Sequence, residues 1–518
     1  MSSVEEINLF TTRNTGNIAP ASLKTLTRRS LLTGLSMALA LGCSLPALAQ
    51  EGPTLTVGIS TPVNQLIPHS VFQGTMPWIH TMYDALVFWD GGPTPQLAES
   101  WEMSEDSRTL TVKLRQGVTF HDGKPLTAQI VVDNLTWATD PANNVTGNAF
   151  LKTGTFTAVD DHTVKLEFPI PAPQILTVLA VLPIMDLTSD IVSQPNGTGP
   201  FKLAEFIPGT SMSYVRNDDY WDKDRLPDVA RINFPMYPDN ASLMAALSSG
   251  QVQILAFPDF RQLSVLEGQG MQLVSQDPPG NWMLRFNAAE GSAVADPRVR
   301  TAISYAINRP VFSQLMTGGK STPTCSHFPP ASPAYTPEID EACEYNLDKA
   351  KALLTEAGFG DGLTVEYLAG SVRQPELTGY VPILQEDLAK IGVTLAIEDL
   401  SSQALGDRVQ QDNFQVAGDW YPWGIFDPAV FFIGPSFAPN NLSNFTDPAY
   451  LDMLTAAQSE VDQNVRIELY KDINRYLAEQ NFIVPIGTRP YIYAVRPEVT
   501  GFGLDPFGMA FYNDVAMP

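Results

Sequence analysis

LAESWEMSEDSRTLTVKLRQGVTFHDGKPLTAQIVVDNLT, residues 97–136, packs a strand, a turn and a helix into forty positions. Thr109 to Leu114 alternates apolar and polar side chains, the period of a strand with one face buried. His121-Asp122-Gly123-Lys124 is turn chemistry. Thr127 then stands as N-cap to a helix running to Trp137. Outward from this stretch the same interleaving continues. Leu55–Ile59 reads as a strand, helical spacing follows around Trp78 to Phe88, and Phe156 to Phe168 is hairpin-like. Gly197-Thr198-Gly199-Pro200-Phe201 is the sharpest punctuation, followed by strands Phe201–Phe206 and Ser211–Arg216 and the aromatic turn NDDYW. Further on, Ile232–Met236 is a strand and Ala241–Ser249 a helix. Asp296-Pro297, Asp427-Pro428 and Asp447-Pro448 pair an N-cap with Pro at the first helical position. Helices over Asp348–Gly358, Glu376–Lys390 and Val465–Ala478 and strands at Thr394–Ile397, Ile483–Ile486 and Tyr491–Ala494 complete a mixed α/β chain.

The length, 518 residues, exceeds what one small core can organise. Lys and Arg number 31 against 56 Asp and Glu, a formal charge of −25, with the carboxylates scattered singly. Such a surface is solvated and self-repelling, and it excludes nucleic acid, whose phosphates need a basic footprint.

Residues 27–49, TRRSLLTGLSMALALGCSLPALA, set Arg28 and Arg29 before an apolar run that ends in Ala47-Leu48-Ala49, the small residues of a signal-peptidase site. The Arg pair after a long polar stretch is similar to a twin-arginine (Tat) export signal, with a Sec signal or a lipoprotein at Cys43 as alternatives. Cleavage after Ala49 makes residues 1–49 a leader. It holds four basic and two acidic residues, so its loss carries the charge from −25 to −27. The run is too short and too interrupted to span a membrane. Two cysteines remain, Cys325 and Cys343. In an oxidising compartment an even pair closing one Pro-rich loop reads as a disulfide; metal ligation is the weaker reading, since no second Cys/His pair stands at zinc spacing.

Enzyme signatures are missing. Gly318-Gly319-Lys320-Ser321 ends like a phosphate-binding loop, but Gln314 stands where its first glycine should be. There is no HExxH, GxSxG or CxxC motif. The histidines, His69, His80, His121, His162 and His327, show no metal spacing. No catalytic residue, metal ligand or cofactor is therefore expected. More telling is the run Trp420, Tyr421, Trp423, Phe426, Phe431 and Phe432, interleaved with Gly418, Pro422 and Gly424. A core corner or a binding wall accounts for these rings equally well. Trp282 is a second candidate of the same kind.

Taken in order, these segments resemble the extracytoplasmic solute-binding proteins of family 5, which serve ABC importers of dipeptides, oligopeptides and nickel. The resemblance is carried by residues 97–135, by GTGPFKLAEFIPGTSMSYVRNDDYW, by DPRVRTAISYAINRPVFSQLMTGGKSTP, and by YNLDKAKALLTEAGF, LQEDLAKIGVTLAI and the aromatic DP segment. It implies a two-lobed periplasmic-binding-protein fold with a third, inserted subdomain and a hinged cleft. Lobe I would comprise residues 50–91, 198–279 and 490–518, subdomain II residues 92–197, and lobe III residues 280–489. HDG, GTGPF and RNDDYW would be scaffold. The implied protein is a periplasmic monomer that captures a peptide or peptide-like solute, delivers it to inner-membrane ABC permease subunits, and catalyses nothing. A receptor for a nickel or other metal chelate, an opine or an oligosaccharide is the alternative, and a secreted hydrolase the alternative of another class.

One departure bears on the ligand. Peptide-binding members carry an Asp four positions before the Pro of the DP motif, paired with the peptide ammonium; here that position is Gly424. Asp427 remains as a ligand-facing carboxylate or as a helix N-cap. Trp423-Gly424-Ile425-Phe426-Asp427-Pro428 is loosely similar to the nickel-binding branch, one residue shorter. Arg373 lies roughly where peptide binders place a base for the ligand carboxylate, a role suited to a guanidinium, and an exposed loop Arg is the other reading. The expected ligand-binding set is Trp282, Arg373, Trp420, Trp423, Phe426 and Asp427.

Overall fold

The computed structural model describes residues 52–68, 76–143, 145, 148–275, 280–371, 375–422, 427–432 and 434–518. The leader, including Arg28, Arg29, Cys43 and Ala49, lies outside them, as do Arg373, Trp423 and Phe426.

Three sheets organise the described residues. A seven-stranded sheet has the order Gln272–Ser275, Ile492–Val495, Ile254–Ala256, Thr54–Gly58, Arg231–Pro235, Ser211–Arg216, Phe201–Ile207. Thr54–Gly58 runs parallel to both neighbours, while Ile492–Val495 is antiparallel to both of its own. A five-stranded sheet has the order Val393–Asp399, Leu363–Ala369, Val416–Pro422, Gly280–Phe286, Ile483–Thr488. Its first three strands are parallel, and Gly280–Phe286 is antiparallel to both flanking strands. A four-stranded antiparallel sheet joins Ala98–Met103, Thr109–Leu114, Thr163–Glu167 and Thr155–Asp160.

The five-stranded sheet is the middle layer of a three-layer sandwich, and the side-chain alternation of its strands decides what each face meets. Trp282, Leu284 and Phe286, with Val416, Val484 and Ile486, pack beneath the helices Pro297–Tyr305, Arg309–Thr317, Leu347–Glu356 and Pro375–Lys390. Met283, Tyr421 and Ile483 point the opposite way, into a cluster with Phe431, Phe432 and Phe437 under Pro448–Ser459 and Gln463–Gln480. The first of these cores also takes in Leu255, Phe260, Leu263 and Leu266, so apolar packing continues behind the point where the two larger sheets meet.

The segment 97–136 folds much as its pattern predicts. Thr109–Leu114 is a strand, and Thr127 caps the helix Ala128–Ala138 through Ile130 N. The helical spacing around Trp78 to Phe88 gives only a four-residue helix, Ile79–Met82. The next turn would need the Met82 carbonyl, and Gly199 N has taken it at 3.0 Å. That approach requires glycine: a Cβ on Gly197 would stand 2.0 Å from the Met82 carbonyl oxygen, and one on Gly199 2.6 Å from its carbon. Beyond the break, the buried Asp84 carboxylate accepts from Gln96 Nε2 (3.0 Å), Tyr220 OH (3.1 Å), Thr198 Oγ1 (2.9 Å) and Trp221 Nε1 (2.8 Å). His121 N donates to the Gly197 carbonyl at 2.9 Å, and His121 Nε2 lies 3.0 Å from the Gly199 oxygen. HDG, GTGPF and NDDYW thus converge on one buried junction and hold segments together. Cys325 and Cys343 are bonded to each other, with their Cα atoms 5.8 Å apart.

Candidate functional site

Among the described strands the chain passes between the two larger sheets twice: from Ser275 to Gly280, and from Thr488 through Arg489-Pro490-Tyr491 to Ile492. In both sheets the parallel strands end toward these crossings. Gly58 and Ala256 close strands of the first sheet, with Ile59 bridged to Met236, while Ala369 and Pro422 close strands of the second. In open α/β sheets the crevice outside the carboxyl ends of the strands is where ligands bind. Arg373 follows Ala369 in the chain and Trp423 follows Pro422, so both belong to segments that leave these ends.

The aromatic run divides by strand geometry. Trp420 and Tyr421 lie in the strand Val416–Pro422, where neighbouring side chains point to opposite faces. Tyr421 is core: its ring meets Phe431 at 5.3 Å and Phe437 at 5.2 Å, and its hydroxyl donates to the His327 carbonyl. Phe431 and Phe432 share that core. Trp420 sits on the other face, half-buried, directly opposite Trp282 across the strand pair. Trp282 is wholly buried, edge-on to Phe260 (5.4 Å) and Phe312 (5.3 Å), and its Nε1 has no hydrogen-bond partner among the described residues. It forms the floor beneath Trp420. Asp427 is buried with both oxygens engaged: Oδ1 accepts from Ala429 N at 3.0 Å and Oδ2 from Arg466 Nη2 at 2.9 Å. It starts the helix Pro428–Phe431, as a DP pair should.

The residue that organises the crossing is one the sequence reading passed over. Arg489 is the single charged residue in the stretch 482–495. Its backbone N donates to the Gly280 carbonyl at 2.7 Å, which ties the crossing to the start of the strand Gly280–Phe286. Its guanidinium carbon lies 4.8 Å from the Trp420 ring centre, 5.3 Å from that of Tyr491 and 5.9 Å from that of Trp282. A planar cation against three electron-rich faces is held by the ring quadrupoles at no loss of charge. Glu376, in the first turn of Pro375–Lys390, supplies the opposing charge: burial raises its carboxyl pKa, and Arg489 pulls it back down. Asp259 and Arg261, paired with each other at 2.5 Å, act on the same carboxylate from the other sheet's side.

Phe257 completes this wall. It follows Ala256, the last residue of a central strand, with φ of +56°, a left-handed conformation that a bulky side chain rarely adopts. Its half-buried ring meets Tyr491 at 5.6 Å and Tyr493 at 5.1 Å. Backbone held this way at a strand end is stored strain of the kind that collects at binding sites. The two misses differ in kind. A lone Arg before Pro inside an apolar run was a readable signal; a left-handed Phe leaves none.

A family model described as bacterial extracellular solute-binding proteins, family 5 Middle, matches residues 92–443. The dipeptide-binding protein of Escherichia coli (strain K12) is 26% identical over 483 residues, covering 84% of this chain and 89% of the relative. The glutathione-binding protein GsiB of the same organism is 27% identical over 432 residues, covering 79% and 83%. The solved structure of the PBP AgaA from A. tumefacien R10 in complex with agropinic acid superposes with a TM-score of 0.78 at 25% identity, covering 90% of this chain and 99% of that one. The fold is the two-lobed α/β fold of periplasmic binding proteins. No described helix is long and apolar enough to cross a membrane. By the family match and the whole-length likeness together, the chain belongs to the family 5 bacterial extracellular solute-binding proteins, a family of binding proteins and not of enzymes.

Proposed function

We propose that the chain is exported to the periplasm, captures a peptide or peptide-like solute between two hinged lobes, and hands it unaltered to the permease of an ABC importer. The observation that carries this reading is the wall at the crossing: Trp420, Tyr491, Phe257 and the guanidinium of Arg489 at the carboxyl ends of strands from two sheets. Rings supply apolar area and the cation supplies orientation, the usual division of labour in a small-molecule site. Residues 50–91, 198–279 and 490–518 form one lobe in this proposal, 280–489 the other, and 92–197 an insertion. Arg373, Trp423 and Phe426 would join the wall from the segments that leave the strand ends. The leader would direct export through its Arg28-Arg29 pair. An opine-like conjugate is the second reading, favoured by the likeness to AgaA, whose ligand is agropinic acid.

Native mass spectrometry of the protein taken from its own periplasm tests the proposal. One small solute per chain, recovered chemically intact, is expected. Incubation with pooled peptides, glycosides and esters that yields steady product release would replace the receptor with a hydrolase. Trp420→Ala should weaken binding about tenfold through lost stacking area and leave the melting temperature of the empty protein within a few degrees of wild type. Collapse of the empty protein would make Trp420 part of the core.

A further inference from the structure

Away from the crossing, a cavity of about 320 Å³ lies beside the edge strand Ile483–Thr488, among the helices Pro297–Tyr305 and Gln463–Gln480 and the disulfide loop. It shares no residue with the aromatic wall. Its volume is at the small end of organic-ligand pockets, about 300–1,000 Å³.

Arg309, the first residue of the helix Arg309–Thr317, lines the cavity and is 3% exposed. Burial lowers its pKa to about 10, so it is charged at neutral pH. No carboxylate of the described residues pairs with it; its partners are neutral oxygens. Nε donates to the Thr324 (3.1 Å) and Pro485 (3.0 Å) carbonyls, Nη1 to the Ser304 carbonyl (3.0 Å) and Nη2 to Ser304 Oγ (2.9 Å). Each terminal nitrogen carries two N–H groups, so one on each is left over. Thr301 and Ser304, three apart on one helix, line the same cavity. Thr301 Oγ1 accepts from Asn481 Nδ2 at 3.0 Å as Ser304 Oγ does from Arg309, so each hydroxyl keeps a proton to give. The buried end is therefore positive and rich in donors.

The rim has the opposite character. Glu338, Glu344 and Glu479 all line it. Glu338 accepts from Arg475 at 2.8 and 3.0 Å, and Glu344 is paired with Lys349. Glu479 is exposed and has no ion pair among the described residues. It stands in the last turn of Gln463–Gln480, where the helix dipole also favours a cation. Between floor and rim the wall is apolar: Ile339, Ala342, Ala478 and the disulfide. A simple anion would meet the rim carboxylates, and a simple cation would meet Arg309.

We propose that this cavity is a second ligand site, which takes a free apolar amino acid as its zwitterion. The carboxylate would accept from Arg309, Ser304 and Thr301, the ammonium would face Glu479, and the side chain would lie on the apolar wall. The site is independent of the solute-binding reading at the crossing, and either can fail without the other.

Calorimetric titration of the ligand-free protein tests it with three probes: L-leucine, 4-methylpentanoate, which lacks the amine, and 3-methylbutylamine, which lacks the carboxylate. L-Leucine should bind about tenfold or more tighter than either half, the scale of one charge-assisted bond. Ser304→Ala and Glu479→Gln should each weaken L-leucine about tenfold, while Trp420→Ala at the crossing should leave it unchanged. If Trp420→Ala abolishes the L-leucine signal and the two cavity variants keep it, the signal belongs to the crossing and the second site is refuted. No L-leucine signal in wild type refutes it as well. Equal affinity for L-leucine and either half would overturn the zwitterion as its ligand. Should Ser304→Ala disturb Arg309 and fail to fold, Glu479→Gln, at an exposed position, decides the matter with the three probes.

Discussion

His327 shows how far a single side chain can depend on its surroundings. Its ring is wholly buried, Nε2 lies 3.0 Å from the Ile483 carbonyl oxygen, and burial holds its pKa down at about 4 against an ordinary 6.5. Between those values the unfolded chain takes up a proton that the folded chain refuses. Stability is therefore intact above pH 6.5 and lost as the pH falls toward 4, by on the order of 3 kcal/mol for this group. Thermal melts from pH 7 to pH 4.5 should show the decline, and His327→Gln, whose amide can still donate to Ile483, should flatten it. Identical slopes in the two proteins would assign the acid sensitivity to other groups, among them His121, whose pKa burial also lowers to about 4. From sequence, a histidine in a Pro-rich loop gave no sign of such depth, because what buries it, Ile483 and Phe437, lies more than a hundred residues away. Asp427 was the opposite case, since Asp before Pro is local chemistry and the N-cap could be read directly.

At the scale of elements, the loop closed by Cys325 and Cys343 is pinned several times over. Asp340 Oδ1 accepts from Thr324 Oγ1, Cys325 N and Ser326 N at 2.8–3.0 Å, and Asn474 Nδ2 donates to Ser326 Oγ and Thr336 Oγ1, both at 3.1 Å. With the folded loop so held, the bond acts chiefly on the unfolded chain. Eighteen residues of separation correspond to about 3 kcal/mol of closure entropy. Urea unfolding with and without a thiol reductant should differ by about that amount, and coincident curves would leave the bond with no stabilising role. Elements with local signals were legible: the capped helices Pro297–Tyr305 and Pro448–Ser459 begin where Asp-Pro placed them, and the strand Ser211–Arg216 lies where alternation put it. The strand Val416–Pro422 was not recognised, because it is covered on both faces and lacks alternation. Read by position alone its aromatics form one band, but strand geometry sends Trp420 and Tyr421 to opposite sides. The helix around Trp78 to Phe88 stopped short because a carbonyl it needed was claimed from residue 199.

For the whole molecule, topology sets what must be complete before anything is stable. Ile492–Val495 lies between Ile254–Ala256 and Gln272–Ser275 and hydrogen-bonds to both. A chain ending at Arg489 would lack it, along with Tyr491 and Tyr493, and would leave two strands with bare edges, a template for association with other chains. Such a chain should elute as aggregate on size exclusion and melt without cooperativity; a monomer with a sharp transition would show that the sheet tolerates the gap.

The same strand dictates a schedule. Synthesis delivers the two flanking strands more than two hundred residues before the piece that joins them, so the nascent protein carries an open seam over that whole interval. A strand made this late is the keystone of the sheet, and the seam stays open until it arrives.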